Sequence, residues 1–299
     1  STNGKVNGLG NLIVGYDEPR STNSTKTGSH NIVVGREHNY SSYGGFVAGF
    51  RNTVSGSEAS VSGGRENVAS DHASSVSGGR ENTSTKYASS VSGGRRNTAS
   101  GYYSSVTSGY GNTASAHYSS VSGGSHNTAS ASSSSVSGGY ENDASGERSS
   151  IGGGSSNTAS GYSSSVISGY DNTASGEVSS VSGGYQNEAS GKRSAIGGGS
   201  SNTASGEGSR VSGGENNVAS GRSSFVGGGG GDFQEGNEAQ ATKSAILGGR
   251  SNTASGFASC ISGGEGNVAG GTDSSVSGGF HRSVSGNNDW RAGTLFEEQ

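Results

Sequence analysis

Val91-Ser92-Gly93-Gly94-Arg95-Arg96-Asn97-Thr98-Ala99-Ser100-Gly101-Tyr102-Tyr103-Ser104-Ser105 decides how this chain is read, because its 15-residue pattern returns along most of the sequence. The first position recurs at Val61 and Val76 before it, and at Val106, Val121, Val136, Ile151, Val166, Val181, Ile196, Val211 and Val226 after it. A five-residue insertion follows, and the series resumes at Ile246, Ile261 and Val276. The seventh position is Asn at every step from Asn67 to Asn217, and again at Asn237, Asn252 and Asn267. The ninth is Ala from Ala69 to Ala269, broken once by Ser84. A period this short and strict marks a solenoid, each unit forming one coil stacked on the next at about 4.8 Å.

Within a unit, Ser-Val-Ser-Gly and Asn-Thr-Ala-Ser each alternate with period two, so each reads as a short strand with one inward apolar residue. Gly-Gly-x-x-Asn and Ser-Gly-x-x-Ser supply the bends, since Gly accepts positive φ and Asn favours turns. Two strands and two bends predict an all-β, parallel β-roll with 15-residue coils and one strand per coil on each wall. A three-sided coil would need more residues. One Val and one Ala per coil bury little apolar surface against the entropy of ordering fifteen residues, so association of several rolls is expected.

The chain divides into irregular N-terminal coils over 1–50, repeats over 51–286 interrupted at 227–236, and a closing cap over 287–299. Asn11-Leu12-Ile13-Val14-Gly15, Asn31-Ile32-Val33-Val34-Gly35 and Phe46-Val47-Ala48-Gly49 are related copies, richer in large apolar residues, as a base or interface layer requires. Trp290 and Phe296 are expected to cover the last open coil, because solenoid ends need caps.

The composition, with 59 glycines and 26% apolar residues, would otherwise indicate disorder, but disorder does not come with a strict period. The net charge is −4 and no Lys/Arg run or basic stripe stands out, so nucleic acid is not an expected partner. No apolar stretch approaches the roughly 20 residues that span a bilayer, so no membrane insertion is expected. No signal peptide is read at Ser1-Thr2-Asn3-Gly4, so an exported form is expected to have lost its targeting segment or to carry it elsewhere. The single Cys260 excludes an internal disulfide framework and reads as a small, half-buried replacement for a framework Ser.

No catalytic constellation emerges. His72 and His117 fall three coils apart in one column, about 14 Å, too far to share a metal. The acidic residues form no calcium loop, and Gly227 to Gly231 reads as loop flexibility. Neither catalytic residue, metal nor cofactor is expected, and the chain does not read as an enzyme. Variation concentrates at the bends, where recognition is placed on a fixed scaffold. Tyr87, Tyr102, Tyr103 and Tyr118 share one edge and are predicted to stack, Tyr87 on Tyr102 and Tyr103 on Tyr118. Exposed Tyr rings suit protein and glycan surfaces; a ladder that stiffens the edge, or a contact with another chain, is the alternative reading. With Phe233 in the second insertion, they are the ligand-binding candidates.

The motif Ser-Val-Ser-Gly-Gly-x-x-Asn-Thr-Ala-Ser-Gly resembles the head repeats of YadA-type trimeric autotransporter adhesins, over about residues 31–286. The family's usual Ala-Ile-Gly core is mostly Ser-Gly-Gly here, and neither a coiled-coil stalk nor a membrane anchor is read in the sequence. The resemblance implies a left-handed roll, a homotrimer and display at the cell surface. The expected function is therefore an extracellular adhesin or receptor-binding fibre head, partnered by itself and by a host or prey surface protein or glycan. Ice binding through Thr-x-Ser rows and a passive spacer are the rival readings.

Overall fold

The computed structural model describes residues 6–231 and 235–292, and it contains strands, bends and turns with no helix. It is an all-β parallel solenoid with coils of about 15 residues. Two compact units are distinguished, residues 1–148 and 149–299.

In the first unit, β1 (Leu12–Val14), β2 (Ile32–Arg36), β4 (Phe46–Phe50) and β6 (Ser60–Val61) lie side by side on one wall. The opposite wall starts with β3 (Asn39–Tyr40), β5 (Thr53–Val54) and β7 (Val68–Ala69). From there the coils repeat as two-residue strands, Ser-Val on one wall and Thr-Ala on the other. Val91 lies beside Val76 and Val106, and Ala99 beside Ala114, each 15 residues apart. The second unit is built the same way, with Val166 beside Val181 and Ala159 beside Ala174. The Val/Ile and Ala columns are buried to within 1% of full burial in both units. Ser84 keeps its place in the Ala column because its Oγ is satisfied by Ser89, 2.8 Å from the carbonyl and 2.6 Å from the hydroxyl.

The predicted N-terminal copies align as read: Leu12, Ile32 and Phe46 share one register, and so do Ile13, Val33 and Val47. Two coils here are shorter, with Ile32 beside Phe46 and Phe46 beside Ser60, each 14 residues apart. The residue lost lies in the first bend, where Ala48 O accepts the Asn52 Nδ2 bond that Gly63 O accepts from Asn67. The first bend glycine itself is uncrowded: a Cβ on Gly78 or Gly93 would meet nothing within 4 Å. Leu12 and Val14 remain exposed on the outermost strand. At the other end, Trp290 takes an outer position beside Ser275, with its Nε1 donating to Ser277 Oγ at 2.7 Å. Arg291 takes the register of the inward Val276 and donates from Nη1 to Ser283 O at 2.9 Å. Phe296 lies outside the described residues.

Within each unit the Asn column forms a ladder inside the roll. Asn97 Oδ1 accepts the Asn112 N–H at 3.0 Å, while Asn97 Nδ2 donates at 2.9 Å to Gly93 O in its own coil and to Gly109 O in the next. His38 occupies the same column one coil before Asn52. Its Nδ1 accepts the Asn52 N–H at 3.2 Å and its Nε2 lies 3.0 Å from Val34 O, so a neutral imidazole makes the bonds of an Asn amide. Burial pushes the His38 pKa below the ordinary imidazole value.

The bends differ from expectation in one respect. In the first bend Gly does supply the left-handed backbone: Gly94 has φ +83°, and a Cβ there would fall 2.2 Å from Gly109 O. In the second bend positive φ falls on the variable residue, as at Tyr103 (φ 56°), Arg148 (φ 58°) and Val178 (φ 59°). The second-bend glycine is needed for close approach instead, since a Cβ on Gly176 would sit 2.1 Å from Gly191 O. Its N–H also has two fates. Gly101 N donates to Ser104 Oγ at 3.0 Å, and that hydroxyl returns to Gly101 O at 2.8 Å. In the second unit, where Gly161, Gly176, Gly191 and Gly206 follow one another, Gly161 N donates to Ala174 O at 3.2 Å, and Ser164 Oγ is buried with no hydrogen-bond partner.

Candidate functional site

The variable side chains sit on a backbone that is hydrogen-bonded through both bends. In the coil of Val91, Arg95 N and Thr98 N donate forward to Gly109 O and Asn112 O, at 2.9 and 2.8 Å. Arg96 N and Tyr103 N donate backward to Arg80 O and Tyr87 O, both at 3.0 Å. The backward bonds come from residues whose positive φ turns the N–H toward the preceding coil. Each corner side chain is thus held at a fixed height, one per coil.

On the second-bend edge, the four predicted tyrosines come together with two histidines. Tyr103 stacks on Tyr118, with centroids 5.1 Å apart and planes 12° apart. The predicted Tyr87–Tyr102 stack is replaced by a Tyr87–Tyr103 edge contact at 5.3 Å, because Tyr103 is turned back toward Tyr87 by its left-handed backbone. His72 continues the row at 5.4 Å from Tyr87. His117 packs edge-on against Tyr118 at 4.2 Å and faces Tyr102 at 6.1 Å. Lys86 Nζ lies 5.8 Å from the Tyr102 ring centre. Tyr102, Tyr103 and Tyr118 are 49%, 44% and 55% exposed, so their rings are supported on one side and open on the other. Desolvation, with Tyr87 beside it, pushes the Tyr103 hydroxyl pKa upward. Phe233, the remaining candidate, lies outside the described residues.

Two features of the first-bend edge were not read from the sequence. Tyr170 and Tyr185, one coil apart in one column, stack at 5.6 Å with planes 7° apart in the second unit. In the first unit the coils assemble a basic stripe, correcting the expectation that none exists. Arg65, Arg80 and Arg95 follow one another as β-bridge partners, with Phe50 before them and Tyr110 after. Arg51 and Arg96 flank them one residue further along the bend. No run of basic residues announces this, because the members lie 14 or more residues apart, apart from the Arg95-Arg96 pair.

Cys260 is half-buried and burial raises its thiol pKa, which disfavours the nucleophilic thiolate. Among the described residues no enclosed pocket is found, and no three His, Cys, Asp or Glu side chains are placed to hold a metal ion. What the arrangement offers is surface: an aromatic edge and a basic edge on a stiff support. No protein-family model matches the chain, and no curated protein matches it significantly.

Proposed function

We propose that the chain is an extracellular attachment module, an adhesin or receptor-binding fibre head that presents its coil edges to a protein or glycan on another surface. The observation that carries this reading is the aromatic edge. Tyr87, Tyr102, Tyr103, Tyr118 and two histidines converge on corner positions that elsewhere hold Ser, as at Ser132 and Ser133 one coil further on. Fold maintenance does not require the rings, and exposed rigid aromatics are effective anchors for sugars and protein surfaces. The resemblance to YadA-type heads adds surface display and a homotrimer. Most outward wall positions hold Ser or Thr, with exceptions such as Val68, Arg210, Val218 and Phe225, so roll-to-roll packing would be largely polar; sedimentation measures the mass in solution directly.

The test replaces Tyr102, Tyr103 and Tyr118 together with Ser, which the neighbouring coil already accommodates. Binding to a glycan array and to cells should fall at least about tenfold with the melting temperature retained. Unchanged attachment would leave a passive spacer as the better description.

Ice binding has one specific observation behind it. Thr83, Thr98, Thr113 and Thr128 stand in register on one wall. The row is interrupted by Asp143, Glu188 and Val218, and a thermal-hysteresis measurement decides the matter.

A further inference from the structure

The basic stripe is unexplained by the fold. Stacking like charges in register is unfavourable, and the same corner position is occupied by Ser125, Ser155 and Ser200 in other coils. Yet among the described residues Arg51, Arg65, Arg80, Arg95 and Arg96 form ion pairs only with Glu37, Glu66 and Glu81. Glu66 is shared by Arg51, Arg65 and Arg80 at 3.9, 3.2 and 3.8 Å. Glu81 is shared by Arg80, Arg95 and Arg96 at 2.8, 3.7 and 2.6 Å, and Glu37 reaches Arg51 at 3.3 Å. Five guanidiniums against three carboxylates leave two positive charges over, in a chain whose net charge is −4. Depth sharpens the imbalance: the Arg65, Arg80, Arg95 and Arg96 side chains are 45–53% exposed, whereas Glu66 and Glu81 are 28% and 23% exposed. The carboxylates are recessed and the guanidiniums form the outer layer. Arg51 and Arg65 are steadied at one end against the Phe50 ring, 5.9 and 5.3 Å from its centre, and Arg96 at the other by Tyr110 Oη at 3.1 Å.

We propose that this first-bend edge binds a linear polyanion, an extended sulfated or carboxylated polysaccharide lying along the stack of coils. A line of guanidiniums one coil apart, about 4.8 Å, matches the advance of one sugar ring in an extended chain, whereas a compact anion would engage only two of them. The planar fork of Arg binds sulfate and carboxylate oxygens bidentately. Nucleic acid fits less well, because the Phe50 ring is taken up by arginines and no open aromatic lies within the line to stack a base. The site lies on a different bend from the tyrosines, so it stands or falls independently of them.

The experiment uses the full chain with dextran sulfate and heparin as probes, and neutral dextran and single-stranded DNA as comparisons, at about 50 mM salt and above. One variant carries Arg65→Ser, Arg80→Ser and Arg95→Ser. A control carries Lys192→Ser, Arg193→Ser and Arg222→Ser and loses the same charge from the second unit. Circular dichroism confirms that both fold. The wild type and the control should bind the sulfated polymers and not neutral dextran. The stripe variant should bind at least about tenfold more weakly, with a shallower dependence on salt. The proposal is overturned by equal binding of stripe variant and wild type, by an equal loss in the control, by no binding of either sulfated polymer, or by tighter binding of DNA.

Discussion

Asn112 shows how much of this protein rests on one residue type. Its Oδ1 accepts the Asn127 N–H at 2.9 Å and its Nδ2 donates to Ser108 O and Gly124 O at 3.0 Å. Asn112→Ala removes all three bonds and strands buried backbone groups, so a loss of about 2–4 kcal/mol is expected in urea unfolding, with hydrogen exchange rising first in the adjoining coils. The Asn column was legible in the sequence because identical residues stack; His38 in that column was not, because it reproduces the amide's bonds with a different group. Its titration gives a second expectation. The folded pKa lies below the ordinary value, so on acidification the unfolded chain takes up the proton first. Stability is complete above the imidazole range and declines as the pH falls below about 6.5, until the folded-state pKa is reached. Melting curves across that range should show the decline, and His38→Asn should abolish its His38 component.

At the level of the bend, two glycines side by side have opposite importance. Gly79 has φ +85° and its Cβ would meet Gly94 O at 2.2 Å, whereas Gly78 has open space around it. Gly79→Ala should cost about 3 kcal/mol or more in thermal unfolding, while Gly78→Ala should be neutral or slightly stabilising. The repeat spells both as Gly in most coils, and only Ser108 and Ser168 at the first position mark it as the tolerant one. The second bend makes a similar distinction between individual coils. Ser104→Ala removes two hydrogen bonds and should destabilise by about 1–2 kcal/mol. Ser164→Ala removes a buried hydroxyl without a partner and should be neutral or stabilising when melted in parallel. The tyrosine edge was legible as a shared edge, but its ring pairing was not, because the left-handed backbone at Tyr103 redirects one side chain toward the preceding coil.

Over the whole molecule, period and columns carried the fold, since each coil meets only its neighbours. The basic stripe was not legible because Glu66 and Glu81 alternate with its arginines in the sequence, and only the folded bends set the guanidiniums outside the carboxylates. Excising residues 106–120, one full coil, should leave a folded protein of similar melting temperature, because Val121 then takes the place of Val106. Removing eight residues from the same stretch should abolish cooperative unfolding, since it sets one wall against the other. The same geometry determines how a tethered head would answer to force. The bonds between coils, such as Thr98 N to Asn112 O at 2.8 Å, run along the direction of stacking. Pulling the two ends of a unit apart therefore loads a few bonds at a time, and coils should peel off singly. Each released coil yields fifteen residues, about 50 Å of slack. If the chain is tethered as proposed, a tug would be spent in small, even increments, which a single-molecule stretching trace would show as evenly spaced steps.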